Sequence, residues 1–263
     1  MCTVTFLAWN DGYCLGMNRD EKRSRVAGLP PSIREEAGRR VLHPSEPGGG
    51  TWIGVNDSGI TLALINWYSV RARVAQGAVS RGEVVQRLLR HGSSPAVAEA
   101  LASPDFPLAR LNPFRLIGIF PGTQQITEWR WDLRELSGVD HAWAPATWIS
   151  SGHDEPGAQK TRGRAFREAL LGPAGDPEGP VPNGAPVEWL QRLHRSHLPE
   201  RGPYSTCMHR PDAVTVSHTE ITVGAGEAWM RHGQGSPCEE GPVSCHSIPV
   251  RVGPAGERPV NGG

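Results

Sequence analysis

Short apolar and β-branched runs, separated by polar turn residues, dominate the first part of the chain. Residues 3–9 carry valine, phenylalanine and threonine, which favour a strand. Asn10-Asp11-Gly12 is a turn signal, and residues 13–17 read as the returning strand. Gly48-Gly49-Gly50 marks a bend, and residues 51–55 and 61–67 read as two more strands around Asn56-Asp57-Ser58-Gly59. The pattern then turns helical. Ser80, with Glu83 three positions on, is a capping-box signature ahead of Val84, Val85, Leu88 and Leu89, and Gly92 is expected to end that helix. Ser94-Pro95 opens a second one.

Residues 114–120 and 125–132 read as a strand pair joined at Pro121-Gly122. A second helical pair, roughly 158–171 and 186–197, brackets a proline- and glycine-rich loop at 172–185. Residues 206–208, 213–216 and 220–223 close the pattern as strands. From Gly233 onward proline, glycine and serine prevail, so the expectation is a domain over residues 1–232 and an irregular tail over 233–263. Strands alternating with helix pairs predict an α+β fold of layered sheets and helices. No internal repeat and no glycine motif for a dinucleotide or phosphate is present.

A chain of 263 residues fits one large domain or two small ones. Its 27 basic residues equal its 27 acidic ones, which removes any general pull toward nucleic acid or anionic membrane. The longest strongly apolar run, residues 60–65, is too short to span a bilayer. No basic stretch followed by an apolar one opens the sequence, so a cytoplasmic protein is expected. Five cysteines at irregular spacing do not form a disulfide framework. Cys238, Cys245 and His246 are spaced more widely than a zinc knuckle and lack a second Cys-x-x-Cys pair. They read as free thiols in a loop, and no metal site is expected.

The candidate chemistry lies at the N-terminus. Cys2 follows the initiator methionine, and trimming of Met1 would leave thiol and α-amine on one residue. A free thiol has a pKa of about 8.5 and an α-amine about 7.7–8.0, so the amine can accept the thiol proton near neutrality. If the first hairpin centres on Asp11, Cys2 lies opposite Asp20, with Arg19 and Glu21 beside it. A carboxylate there could orient the amine. A buried, inert Cys2 and a surface ion pair at Asn18-Arg19-Asp20-Glu21 are the plainer reading of the same residues.

The runs MCTVTF, MNRDE, GGTWIGV and ITLALINWY, in this order and spacing, resemble the Asn-Arg-Asp-Glu (NRDE) family, also called transport and Golgi organisation 2. SRGEVV, NPFRLIGI and YSTCM extend the resemblance to about Arg231. The family is similar to cholylglycine hydrolases and penicillin V acylases of the N-terminal nucleophile superfamily. The resemblance thus implies a four-layer αββα sandwich of two antiparallel sheets flanked by helices. It also implies acyl transfer by Cys2, with Asp20 matching the catalytic aspartate of an Asn-x-Asp stretch, Arg19 beside it, and Asn66 as the oxyanion-binding amide. Three positions depart from the pattern. Met17 replaces an arginine, Ser151 stands where a second asparagine is expected, and Arg231 is the best counterpart of a late arginine.

Two functions follow from the resemblance. One is a cofactor-free amidohydrolase for a small non-peptide amide. The other is a carrier of the same fold for haem or a hydrophobic lipid or acyl ligand, for which His209, beside Cys207 and Met208, is a ligand candidate by composition alone. Neither substrate nor oligomeric state is selected by the sequence.

Overall fold

The structure, a computed structural model, describes residues 1–171, 186–224 and 226–251. In chain order its elements are β1 (Cys2–Trp9), β2 (Gly12–Lys22), β3 (Leu29–Glu36), β4 (Arg39–Ser45), β5 (Ile53–Asn56), β6 (Thr61–Asn66), α1 (Gly82–Leu88) and α2 (Ser94–Ala102). They continue with β7 (Phe114–Phe120), β8 (Gln125–Trp131), β9 (Leu136–His141), β10 (Ala146–Ser150), α3 (Glu155–Leu171), α4 (Pro186–Arg195), β11 (Ala213–Gly224), β12 (Glu227–Gln234) and β13 (Val243–Pro249).

Two antiparallel sheets result. One has six strands in the order β10-β1-β2-β11-β12-β13, the other seven in the order β3-β4-β5-β6-β7-β8-β9. Alternation along each strand sends one set of side chains between the sheets and the other toward a helix layer. Val4, Phe6, Leu15 and Met17 meet Ile53, Val55, Ile65 and Ile117 in the central core. Leu7 and Cys14, on the opposite face of the first hairpin, pack under Phe166 of α3 and Trp189, Leu190 and Leu193 of α4. Val84, Val85, Leu88, Val97 and Leu101 of α1 and α2 cover Leu62, Leu64 and Leu116 of the second sheet. The molecule is therefore the expected α+β sandwich, with layers in the order helix, sheet, sheet, helix.

Several boundaries differ from the sequence reading, each for a physical reason. The first hairpin turns on Asn10 and Asp11 alone, with Trp9 opposite Gly12. A Cβ on Gly12 would sit 2.2 Å from the Val223 carbonyl and 2.9 Å from the Trp9 indole, so glycine joins the ladder rather than the turn. That shifts every pair by one, and Cys2 faces Arg19 rather than Asp20. The capping box at Ser80 is not formed: Arg81 is the N-cap of α1 without a side-chain bond, and Glu83 pairs with Arg87 instead. Residues 206–208 are no strand but a strap, whose Met208 N–H donates to Thr215 Oγ1 at 2.8 Å. Residues 213–216 and 220–223 belong to one strand, β11, kinked by an irregularity between Thr215 and Ser217.

The chain beyond Gly233 is not simply irregular, because Val243–Pro249 pairs along β12 as the last strand of the first sheet. The proline- and glycine-rich loop at 172–185 and residues 252–263 lie outside the described residues. Among the described residues, no helix is long and apolar enough to cross a membrane.

Candidate active site at the head of the first strand

Cys2 begins β1 and is held from both sides, opposite Arg19 of β2 and Ser150 of β10. Its backbone N–H donates to Ser150 Oγ at 3.1 Å. The side chain is buried and faces the space between the sheets, lining a cavity of about 310 Å³ with Arg19, Trp52, Asn66 and Arg81. Burial pushes the thiol pKa up, and the neighbouring N-terminal ammonium draws it back. Met1 covers this spot. Its ammonium donates to the Asp20 carbonyl at 2.9 Å, and its own carbonyl accepts the Asp20 N–H at 2.8 Å. Burial disfavours charge on that ammonium, but Cys2, Tyr68, Glu21 and Asp20 outweigh it and hold its pKa at about 10.

Asn66 ends β6 on the same cavity, and its Nδ2 donates to Tyr68 Oη at 2.8 Å. Tyr68 Oη lies 3.5 Å from the Met1 nitrogen, and its ring is packed where Gly152 lacks a side chain. The start of α3 fixes this corner: the Glu155 carboxylate accepts the backbone N–H groups of Tyr68 and Ser69 at 3.4 and 2.6 Å.

Arg19 shares the Cys2 face but is already engaged. Its guanidinium stacks 4.3 Å from the Trp52 ring centre and pairs with Glu46 at 2.6 Å and Glu21 at 3.4 Å. Arg81 is the contrasting case. Its Nη1 donates to the Pro113 carbonyl at 3.0 Å, it pairs with no carboxylate among the described residues, and burial lowers its pKa. The sequence reading missed it because it sat inside an assumed helix cap.

The Asp20 side chain points the other way, toward α3. Its carboxylate meets Arg162 Nη1 at 3.1 Å and accepts from Thr215 Oγ1 at 2.7 Å, both ends of the ion pair being buried. Asn18, also on this face, is fully occupied in holding the His194 and Thr206 carbonyls at 2.9 Å each. Arg162 went unnoticed in the sequence, yet a signal was there: it shares the helical stripe of Ala158, Ala165 and Phe166, all buried.

Ser151 is buried beside the site. Its Oγ accepts the His153 and Asp154 N–H groups at 3.3 and 3.4 Å and lies 3.6 Å from Met1 Sδ. Arg231 does not join them. It faces Glu220 and Cys245 across the ladders of β12 and lines a separate cavity under α4 with Gln191 and Arg195. His209 too stands apart from Cys2, in a group with His197, Cys207 and Cys238. Met17, at the departed arginine position, is fully buried core.

Two antiparallel sheets packed face to face and flanked by helices are the fold class of the N-terminal nucleophile hydrolases. Penicillin V acylase from Agrobacterium tumefaciens shares that fold with a TM-score of 0.53 at 9% identity, over 93% of this chain and 85% of the acylase. The C2A mutant of conjugated bile acid hydrolase from Clostridium perfringens aligns over 95% of this chain and 97% of its own, at 11% identity and a TM-score of 0.49. No curated protein matches the sequence significantly. Within the fold class, the chain belongs to the Transport and Golgi organisation 2 family, whose sequence pattern it matches over residues 1–136.

Proposed function

We propose that the chain is a cysteine amidohydrolase of the N-terminal nucleophile type, acting on a small non-peptide amide or related acyl compound once Met1 is removed. The observation that carries the reading is the placement of Cys2 in one cavity with the Asn66 amide and the Arg81 guanidinium. Loss of Met1 makes the Cys2 nitrogen an α-amine beside its own thiol, able to take the thiol proton. The sulfur attacks the amide carbonyl, the proton passes to the leaving nitrogen as the C–N bond breaks, and water then cleaves the thioester. Asn66 Nδ2 is the side-chain donor for the oxyanion. Arg81 suits a carboxylate on the substrate.

Asp20 is a positioning residue in this reading, because its backbone brackets Met1 while its carboxylate holds Arg162. The ionic lining, with Glu21, Arg25 and Glu46 beside the two arginines, does not favour haem or a lipid chain there.

Intact mass should show Met1 absent, and a retained methionine would sink the amine mechanism. Cys2→Ser and Cys2→Ala should abolish labelling at residue 2 and turnover of small N-acyl amides, carboxylate-bearing ones being the better substrates of the parent protein. Unchanged turnover in both variants would rule out Cys2. A Soret shift on haem titration that depends on Cys2 would favour the carrier.

A further inference from the structure

His197, Cys207, His209 and Cys238 bring their ligand atoms within 4.8 Å of one another, although they come from two separate loops. His197, Cys207 and His209 lie between α4 and β11, and Cys238 lies between β12 and β13. His209 Nε2 is approached by three atoms at once: His197 Nε2 at 3.2 Å, Cys207 Sγ at 3.5 Å and Cys238 Sγ at 3.4 Å. A ring nitrogen has one lone pair or one hydrogen, so hydrogen bonding cannot account for three such neighbours. Convergence on a shared cation does. Zinc–sulfur bonds of about 2.3 Å and zinc–nitrogen bonds of about 2.0–2.1 Å, set in a tetrahedron, put neighbouring nitrogens about 3.3 Å apart and nitrogen and sulfur about 3.6 Å apart. The three spacings around His209 Nε2 match those edges within a few tenths of an ångström.

We propose that these four residues form a structural zinc site. Two thiols and two neutral imidazoles would bind Zn²⁺ with release of two thiol protons, leaving a neutral centre closed by four protein ligands. Zinc on His209 Nε2 places the ring proton on Nδ1, which now accepts from Arg201 Nη2 at 3.2 Å. Arg201 is 57% exposed and pairs with Glu239 at 3.4 Å, so it is free to move off.

The site would clamp the strap over residues 196–209 to the β12–β13 connection. The strap's Met208 N–H donates to Thr215 Oγ1, which itself donates to Asp20 Oδ1 at 2.7 Å, so the clamp reaches the buried pair behind Cys2. Cys245 is exposed and outside the group, which makes it an internal control.

Untagged protein purified without chelator should contain about one zinc per chain by elemental analysis. After exchange, Co²⁺ should give the thiolate charge-transfer and tetrahedral visible bands. Cys207→Ser and Cys238→Ser should each lose both signals, and Cys245→Ser should keep them. Because Cys207 is buried and its variant can fail to fold, the half-exposed Cys238 carries the decision. Retention of stoichiometric zinc in Cys238→Ser, absence of zinc and cobalt signals from the parent protein, or a Cys207–Cys238 disulfide in its mass would each overturn the site.

Discussion

At the scale of single residues, Asp20 shows how alternation decides a role. One step along β2 separates it from Arg19, and that step sends its carboxylate through the sheet to Arg162 instead of into the Cys2 cavity. Arg162 Nη1 also donates to Thr3 Oγ1 at 2.7 Å, and Nη2 to the Pro203 carbonyl at 3.2 Å, so the pair joins α3, β1, β2 and the strap. Removing one partner strands the other charge in the interior, at a cost of about 3–5 kcal/mol. Asp20→Asn and Arg162→Met should each lose about that much in urea unfolding, while the double variant should lose clearly less than their sum. Additive losses would mean that the two side chains are not coupled. Cys2 was marked by its chain position and Asn66 by the family resemblance, and the two line one cavity. The sequence could not show Asp20 turning away, since that direction hangs on a single residue of hairpin register.

At the scale of elements, the register itself rests on Gly12. An added Cβ meets backbone, the Val223 carbonyl at 2.2 Å, so β2 and β11 must part to admit it. Gly12→Ala should lower stability by about 1–3 kcal/mol, as overpacking does elsewhere. It should leave thiol labelling of Cys2 unchanged, because Cys2 sits at the far end of the hairpin. A change in labelling without a fall in the urea midpoint would instead reveal a slipped ladder. The strands β1, β2, β5, β6, β7, β8 and β11 were legible as apolar, β-branched runs, whereas β3, β4, β9, β10, β12 and β13 were not. Of these, β3, β9, β10 and β13 are the four edges of the two sheets, and β4 and β12 lie next to an edge. Edge strands tolerate proline and charge, as in Pro30 and Pro31 of β3, and therefore lack the run that marks a central strand. Ala37 and Gly38, with φ of 51° and 77°, close the β3–β4 hairpin, a turn in which alanine gives no warning. The four-residue cluster at His209 was invisible for a related reason: three of its donors lie on a strap that read in part as a helix end and a strand, and the fourth lies in what read as a tail.

At the scale of the whole molecule, burial of neutral imidazoles sets an acid limit on the fold. Burial, reinforced by Arg162, lowers the His194 pKa to about 3, and both its ring nitrogens lack a hydrogen-bond partner among the described residues. Burial with Arg19 nearby lowers His232 to about 4, and burial beside His194 takes His218 well below its usual range. The unfolded chain binds these protons near pH 6.5 and the folded chain does not, so stability is full above about pH 6.5 and falls as the pH drops toward the folded values. At pH 5 each such histidine costs about 2 kcal/mol, from 1.36 kcal/mol per pH unit over about 1.5 units. Glu128 acts lower. Burial raises its pKa, but the hydrogen bonds from Arg130 and Arg115 outweigh that and hold it at about 2, so its contribution is lost only below the usual carboxylate range. The loss between about pH 6.5 and 5 thus belongs to the imidazoles. His194→Leu removes one of them without touching the backbone carbonyl that Asn18 binds. Its unfolding free energy should fall by about 2 kcal/mol less than the parent's between neutral pH and pH 5, any effect of acid on the other groups cancelling in the difference. An equal fall in both proteins would show that His194 takes up its proton in the folded state, and the buried imidazoles would then not be what limits the fold in acid.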